Sequence, residues 1–455
     1  MKYSGIILLL SMILIPANAG AVKCPIPNCP AGQLCFCPPP PPHFFVLEVR
    51  GNNVDKKIVE KIETYLKNSF DLTAMFKFRD KFAPRAFKIT TPADQISRWS
   101  MISFNVSNTK NGLSFGVEYH ERFPIHSRKK TQKWKTSMST DSTKDKILHA
   151  ALDTLGNQAM EQILGNKFEA FGTRLAYVET IKTGTSVIRM AHVNGKNYGK
   201  SGNGGRLLSF SRSLNKGPVF SPDGRFLVFT SHIRYNPDLY IVKTDGSKSP
   251  HRISARNGMN HAASFSPDGS KLALTLDYRG NADVYTLNSD YSSTKKWRIS
   301  KKLTKHHDID TSPEYSPDGK RLAFVSARGG SAQIFTYDFA SGRIRKLFST
   351  KSRTFTPRWC KSGNREYIAF TQLVGAKSVI YIYDVVAKNG WQATSSAAPN
   401  AENPAWSPHC NLIAYESEGA KGKAAGIWIS PVRGGHSRVL YTGKLAMPAW
   451  EMKKN

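Results

Sequence analysis

Acidic residues are scarce in this sequence: 33 Asp plus Glu stand against 65 Lys plus Arg in 455 residues, a formal charge of +32. The excess is spread along the chain rather than gathered in a tail. Such a charge keeps a protein soluble and draws it to anionic surfaces. Long apolar runs are missing too. After the first twenty residues nothing approaches the ~18 uninterrupted apolar residues of a transmembrane helix, so the chain is expected to be peripheral to a membrane, not integral. There is no G-x-S-x-G; Gly199-Lys200-Ser201-Gly202 fails at its last position. That leaves no nucleophile elbow of the hydrolase type, and neither an enzyme nor a cofactor is expected. Cysteine is sparse in the body of the chain, with Cys360 and Cys410 alone beyond residue 37.

The start of the chain reads MKYSGIILLLSMILIPANA. A basic residue, a short apolar run and an A-x-A box describe a secretory signal over residues 1–19, too short for a span. Export argues against nucleic acid as a partner and leaves anionic envelope components as the natural counter-charges. An oxidising compartment also favours disulfides. Cys24, Cys29, Cys35 and Cys37 follow the cleavage box. Their spacing is not that of a zinc site, and four cysteines allow three pairings that sequence alone leaves open. Five prolines, Pro38 to Pro42, then form a stiff spacer, so residues 20–42 make a Cys/Pro-rich segment and linker. Cys360 and Cys410 occupy corresponding turns of neighbouring repeats and are further disulfide candidates, provided their Cα atoms come within about 7 Å.

The remainder is repetitive. VFSPDGRFLVF, SFSPDGSKLAL and EYSPDGKRLAF each place an aromatic directly before a Ser-Pro-Asp-Gly turn. The aromatics Phe220, Phe265, Tyr315, Trp359, Trp406 and Trp450 are 45, 50, 44, 47 and 44 residues apart. Periods of about 40 to 50 residues mark propellers or arrays. Within SPDG, Pro presets the first corner, Asp suits the second, and Gly takes the left-handed position that rejoins the next strand. After each turn comes an apolar strand: Arg225 to Thr230, Lys271 to Leu276, Arg321 to Ser326, Tyr367 to Gln372 and Leu412 to Ser417. A further such strand, Thr173 to Val178, has no aromatic strand before it, whereas Met447 to Glu451 has nothing after it. Pairing the two predicts a six-bladed β-propeller over residues 167–455, closed by the C-terminal strand. Residues 43–166 predict a small α/β domain of two helices on a mixed sheet. Its expected elements are strands at Phe44 to Arg50, Trp99 to Ser107 and Leu113 to Arg122, and helices from Val54 to Phe70 and, capped at Asp141-Ser142-Thr143, through Leu164.

The order of export signal, small α/β domain and FGTRLAYV opening a ring of SPDG repeats resembles the TolB family, periplasmic components of the Tol–Pal envelope system. The run DTSPEYSPDG at Asp310 to Gly319 and YLKNSF at Tyr65 to Phe70 look like the family's own, and the resemblance covers about Phe44 to Trp450. It implies a periplasmic scaffold that binds the lipoprotein Pal at one mouth of the propeller channel and supports outer-membrane integrity and cell division. In such proteins a short N-terminal segment can engage TolA. Here the Cys/Pro-rich segment stands in its place.

The mouth residues implied are those just ahead of the repeating aromatics: Met259, Asn260 and His261; Asp310, Thr311 and Ser312; Thr354 and Thr356; Glu402 and Asn403. Converging polar side chains with backbone groups between them can clasp a protein loop. Two other readings stay open: a basic scaffold for anionic envelope polymers, and a propeller-bearing hydrolase relative lacking its catalytic domain. His306, His307, Asp308 and Asp310 also cluster in sequence. Adjacent histidines on a strand point to opposite faces, so no metal site is expected there unless the chain turns.

Overall fold

A computed structural model describes residues 43–72, 76–78, 99–109, 112–122, 130–137, 145–164, 167–193, 205–277, 280–291, 297–394, 400–419, 424–432 and 437–452. The signal, the four early cysteines, the proline spacer and the Asp141-Ser142-Thr143 cap fall outside these residues.

The first unit is a five-stranded sheet with two helices. Its strands are β1 (His43–Asn52), β2 (Phe76–Phe78), β3 (Trp99–Thr109), β4 (Gly112–Arg122) and β5 (Lys130–Ser137), in the order β2-β1-β3-β4-β5. β1 runs parallel to β2 and β3, while β3-β4-β5 is antiparallel. Sequence reasoning missed β2 and β5. Helix α1 (Lys56–Leu72) starts two residues later than its apolar periodicity suggested. Asp55 is the reason: its carboxylate accepts from the Lys57 N–H at 2.7 Å and its carbonyl from the Ile58 N–H at 3.0 Å, which caps the first turn. Ile62, Tyr65, Leu66 and Phe70 are its buried stripe. Tyr65 Oη donates to Asp153 Oδ1 at 2.7 Å, tying α1 to α2 (Asp145–Leu164).

From Arg174 onward the chain makes six four-stranded antiparallel sheets. The second strand of each is almost continuously buried, as in Leu227–Val228–Phe229 and Leu322–Ala323–Phe324. A strand covered on both faces has to be apolar on both. The covering comes from neighbouring blades. Val228, Ile241 and Ile253 pack on Phe265 and Leu272, Leu303 on Tyr315, Phe348 on Trp359, and Tyr367 on Trp406. The first strands of successive sheets touch one another in sequence, and Leu445–Trp450 touches both Ala401–Trp406 and Asn215–Phe220. The first strands therefore form the inner circle.

The sheet that begins with Arg174–Lys182 has Leu445–Trp450 as its first strand, with Ala446 opposite Val178 and Trp450 opposite Leu175. This strand starts two residues before the expected Met447, because a bulge interrupts it there without ending it. Trp450 Nε1 donates to Thr173 Oγ1 at 2.8 Å. Arg174 grips Glu451 through Nε at 2.9 Å and also through Nη2, then reaches the next blade at the Gly224 carbonyl (2.7 Å) and Thr244 (3.1 Å). Phe168 and Phe171 carry the core of the first unit into this seam, and Asn411 Nδ2 pins the linker through the Lys167 carbonyl at 2.7 Å.

The SPDG turns are self-bonded. In the first, the Gly224 N–H donates to the Ser221 carbonyl at 2.9 Å, Ser221 Oγ donates to Asp223 at 2.6 Å, and Gly224 sits at φ 68°. Gly269 and Gly319 repeat this at φ 75° and 70°, a conformation that costs glycine nothing. In the blade headed by Trp406 the turn becomes the 3₁₀ segment Pro408–Cys410.

Candidate functional site

An antiparallel blade puts its connections at two ends. The SPDG turns and the third-to-fourth strand turns share one end. The links that feed each inner strand and the second-to-third strand turns share the other, here called the loop end. Of the ten large apolar side chains exposed among the described residues, six lie at the loop end: Ile181, Ile233, Tyr235, Met259, Ile309 and Val374. Tyr235 is 97% exposed.

The inner strands share one backbone irregularity. Three residues before each repeating aromatic, φ is positive: Gly217 (58°), Ala262 (52°), Ser312 (54°), Thr356 (48°), Asn403 (51°) and Met447 (48°). Each pairing register shifts at this point. Five of the six are not glycine, and a left-handed non-glycine costs of order 1–3 kcal/mol. Neighbouring blades hold several of them. Thr275 Oγ1 accepts from the Ser312 N–H at 3.2 Å, Thr371 Oγ1 from the Asn403 N–H at 3.1 Å, and Glu416 from the Met447 N–H. The bulge sets what the rim shows. Residues five before the aromatic are buried, whereas those four and three before are exposed or half-buried.

The expected mouth residues divide along this line. His261, Thr311, Ser312, Thr356, Glu402 and Asn403 occupy the rim positions, and Met259 stands exposed beside them. Asn260, Asp310 and Thr354 do not reach the mouth, because each is fully buried. Asn260 shapes its loop, accepting from Ser254 Oγ at 2.7 Å and donating to the Arg256 carbonyl at 2.7 Å. Asp310 takes both its contacts from Arg328 Nη2, at 3.1 and 2.9 Å. Thr354 packs inward. Sequence reasoning missed Lys216, Phe355 and Ala446, which complete the circle four before the aromatic, and Gly217, Ala262 and Met447 three before. The signal was present in five of the six repeats. An x-Pro step sits two before the aromatic at Pro218, Pro313, Pro357, Pro404 and Pro448, and proline inside a strand marks an edge or a bulge.

The rim is electrostatically lopsided. Reading round the circle, the residues four before the aromatic are Lys216, His261, Thr311, Phe355, Glu402 and Ala446, so His261 lies across the ring from Glu402. Burial, with Lys216 adding to it, holds the His261 imidazole below its ordinary pKa of 6.5 against the pull of Asp277. Burial raises the Glu416 carboxyl, opposed by the Met447 N–H and Asn403, while Glu402 and Glu418 push it further up. The rim thus offers polar and charged donors and acceptors beside exposed apolar groups, which is the chemistry of a protein contact. Cys360 and Cys410, on adjacent blades, are disulfide-bonded, with Cα atoms 5.9 Å apart. Among the described residues no helix is long and apolar enough to cross a membrane.

The TolB beta propeller domain family matches residues 160–454. The chain belongs to that family. A curated "Protein TolB homolog" from Chlorobaculum tepidum is 34% identical over 80 residues, 18% of this chain and 17% of the relative, so the match spans less than a fifth of that protein. The crystal structure of TolB from Acinetobacter baumannii superposes with a TM-score of 0.66 at 22% identity, covering 91% of this chain and 98% of that one. The likeness in fold therefore reaches through the small domain as well as the TolB propeller. A putative TolB from Agrobacterium tumefaciens aligns over 59% of this chain and 89% of its own, at 21% identity and a TM-score of 0.44.

Proposed function

We propose that this TolB-family chain is a non-catalytic periplasmic scaffold of a Tol–Pal system, binding the lipoprotein Pal at the loop end of its propeller and supporting outer-membrane integrity and cell division. The observation that carries this reading is the concentration of exposed apolar side chains at one end of the ring, round an inner rim of half-buried polar residues. Apolar anchors encircling hydrogen-bonding groups are what a docking surface needs. In this reading the tail strand Leu445–Trp450 seals the propeller and keeps the rim rigid. The Cys360–Cys410 bridge fits an oxidising compartment, as does the leader at residues 1–19. Any engagement of TolA would fall to residues 20–42.

The test uses purified Pal and the full chain. Tyr235→Ser with Ile309→Ser should weaken Pal binding at least about tenfold, since a few central anchors dominate such interfaces. The fold should be unchanged, because both side chains are exposed. Equal affinity for both proteins would contradict the assignment of the loop end.

A second reading, direct binding of anionic envelope polymers, is favoured by the +32 charge and by exposed Arg298, Lys301, Arg343, Arg345 and Lys346 on or just before two outer strands. Salt separates the two. Polymer binding should collapse near ~0.5 M salt, where screening lengths fall well below 8 Å, while docking of Pal persists.

A further inference from the structure

We propose that His306, His307 and Asp308 form a binding site for a divalent transition-metal ion of the zinc class at the loop end of the ring. The objection raised by the sequence was that neighbouring histidines on a strand diverge. These residues are not in a strand. They lie in the link between Ile299–Lys302 and Asp310–Tyr315, where the chain bends at His307 and Asp308. The bend stacks the two imidazoles, with centroids 4.2 Å apart and planes 30° from parallel. It also places Asp308 Oδ2 3.4 Å from His306 Nδ1 and 3.5 Å from His307 Nε2. One ligand atom from each residue falls within 4.8 Å of both others. Two ligands on a tetrahedral ion with bonds of about 2.0–2.1 Å are roughly 3.3 Å apart. Two of the three ligand separations are therefore close to those of a tetrahedral site, and sharing an ion would unstack the two rings, because each imidazole lone pair lies in its own ring plane.

The loop is held in this shape from both sides. Asn281 Nδ2 donates to the His306 carbonyl at 2.7 Å. Upstream, buried Thr304 accepts from the Val284 N–H at 3.0 Å and bonds Asp283. Downstream, Asp310 is locked to Arg328. The Asp308 N–H donates to His306 Nδ1 at 3.1 Å, so that nitrogen presents a lone pair; a bound ion would take the place of this hydrogen bond. Two imidazoles and one carboxylate are a donor set that suits zinc, copper or nickel rather than calcium or magnesium. His307 is 83% exposed in its side chain, so the remaining coordination positions face solvent. The site stands independently of the docking reading.

The experiment is a titration of the oxidised full chain with Zn(II) against a competing chromogenic chelator, repeated for His307→Ala, Asp308→Asn and, as a control, His192→Ala. The expected result is one saturable site in the wild type. Its affinity should fall about tenfold or more in each of the first two variants and be unchanged in the third. Zn(II) should also raise the thermal midpoint of the wild type, because an ion that binds only the folded state stabilises it, and should not raise that of His307→Ala. Absence of saturable binding, or equal affinity in wild type, His307→Ala and Asp308→Asn, would overturn the proposal.

Discussion

His261 shows how much one rim residue records of its surroundings. Its imidazole is half-covered by the bulged inner strand, with Lys216 of the preceding blade nearby and Asp277 pulling the other way. Burial comes first among these influences, and the folded pKa lies below 6.5. The unfolded chain therefore binds more protons in the interval just below 6.5. The stability His261 contributes is complete above that value and is lost as pH falls toward the folded pKa. His261→Gln removes the titration. We expect the thermal midpoint of the variant to gain on that of the wild type as pH drops from about 7.5 to 5.5. Midpoints that fall in parallel would show that the imidazole is no more buried than in the unfolded chain. Three residues on from His261's equivalents, Glu314, Arg358 and Ala449 line the same inner strands, and the Arg358–Glu314 pair at 3.6 Å bridges two blades there.

At the scale of elements, the blade is one hairpin grammar used six times, with local departures. Where Ser-Pro-Asp-Gly is kept, the serine hydroxyl and aspartate carboxylate close the corner. In the middle copy, bonds from Ser266 and Ser270 bring the Asp268 pKa down to about 2. Where the phrase is lost, at Pro408–Cys410, a covalent link replaces it. The Cys360–Cys410 bridge closes a loop with a sequence separation of 50, and the Trp406 indole N–H donates across the same blade junction to the Arg358 carbonyl at 2.8 Å. Cys360→Ala with Cys410→Ala should lower the stability read from denaturant midpoints by about 2–4 kcal/mol; an unchanged midpoint would mean the junction is held by packing alone. The strands themselves were legible from sequence, because apolar β-branched runs after a turn have few alternatives. Of the short outer strands, Ile344–Lys346 is announced by the apolar residues within Ile344 to Phe348, whereas Arg206–Leu207 is exposed at both residues and carries no such signal. The rim was half legible. The aromatic register located His261, Thr311 and Glu402, but burial of Asn260, Asp310 and Thr354 depends on a bulge, which an x-Pro step announces for Asp310 and Thr354 and nothing announces for Asn260, where Ala263 replaces the proline. The cluster His306–Asp308 was visible in the sequence, but the convergence of its side chains was not, since a bend rather than a strand decides where the two rings point.

At the scale of the whole molecule, the ring has two chemically different ends. One is finished by tight turns whose polar groups satisfy each other, and by the seam where Arg174 holds Glu451 and Gly224 together. The other carries Ile181, Ile233, Tyr235, Met259, Ile309 and Val374 in the open, around six inner strands that are bulged at the same level. The five left-handed residues there that are not glycine are disfavoured locally and are kept because packing from adjacent blades determines the backbone. A rim built this way is stiff, and stiffness reduces the cost of ordering on association. The measurement that tests this account most directly is amide hydrogen exchange of the full chain with and without purified Pal. Docking at the loop end should slow exchange at residues 231–238, 256–262 and 303–312 and leave the turns 221–224, 266–269 and 316–319 unchanged. Protection confined to those turns, or absent from the loop end, would contradict it.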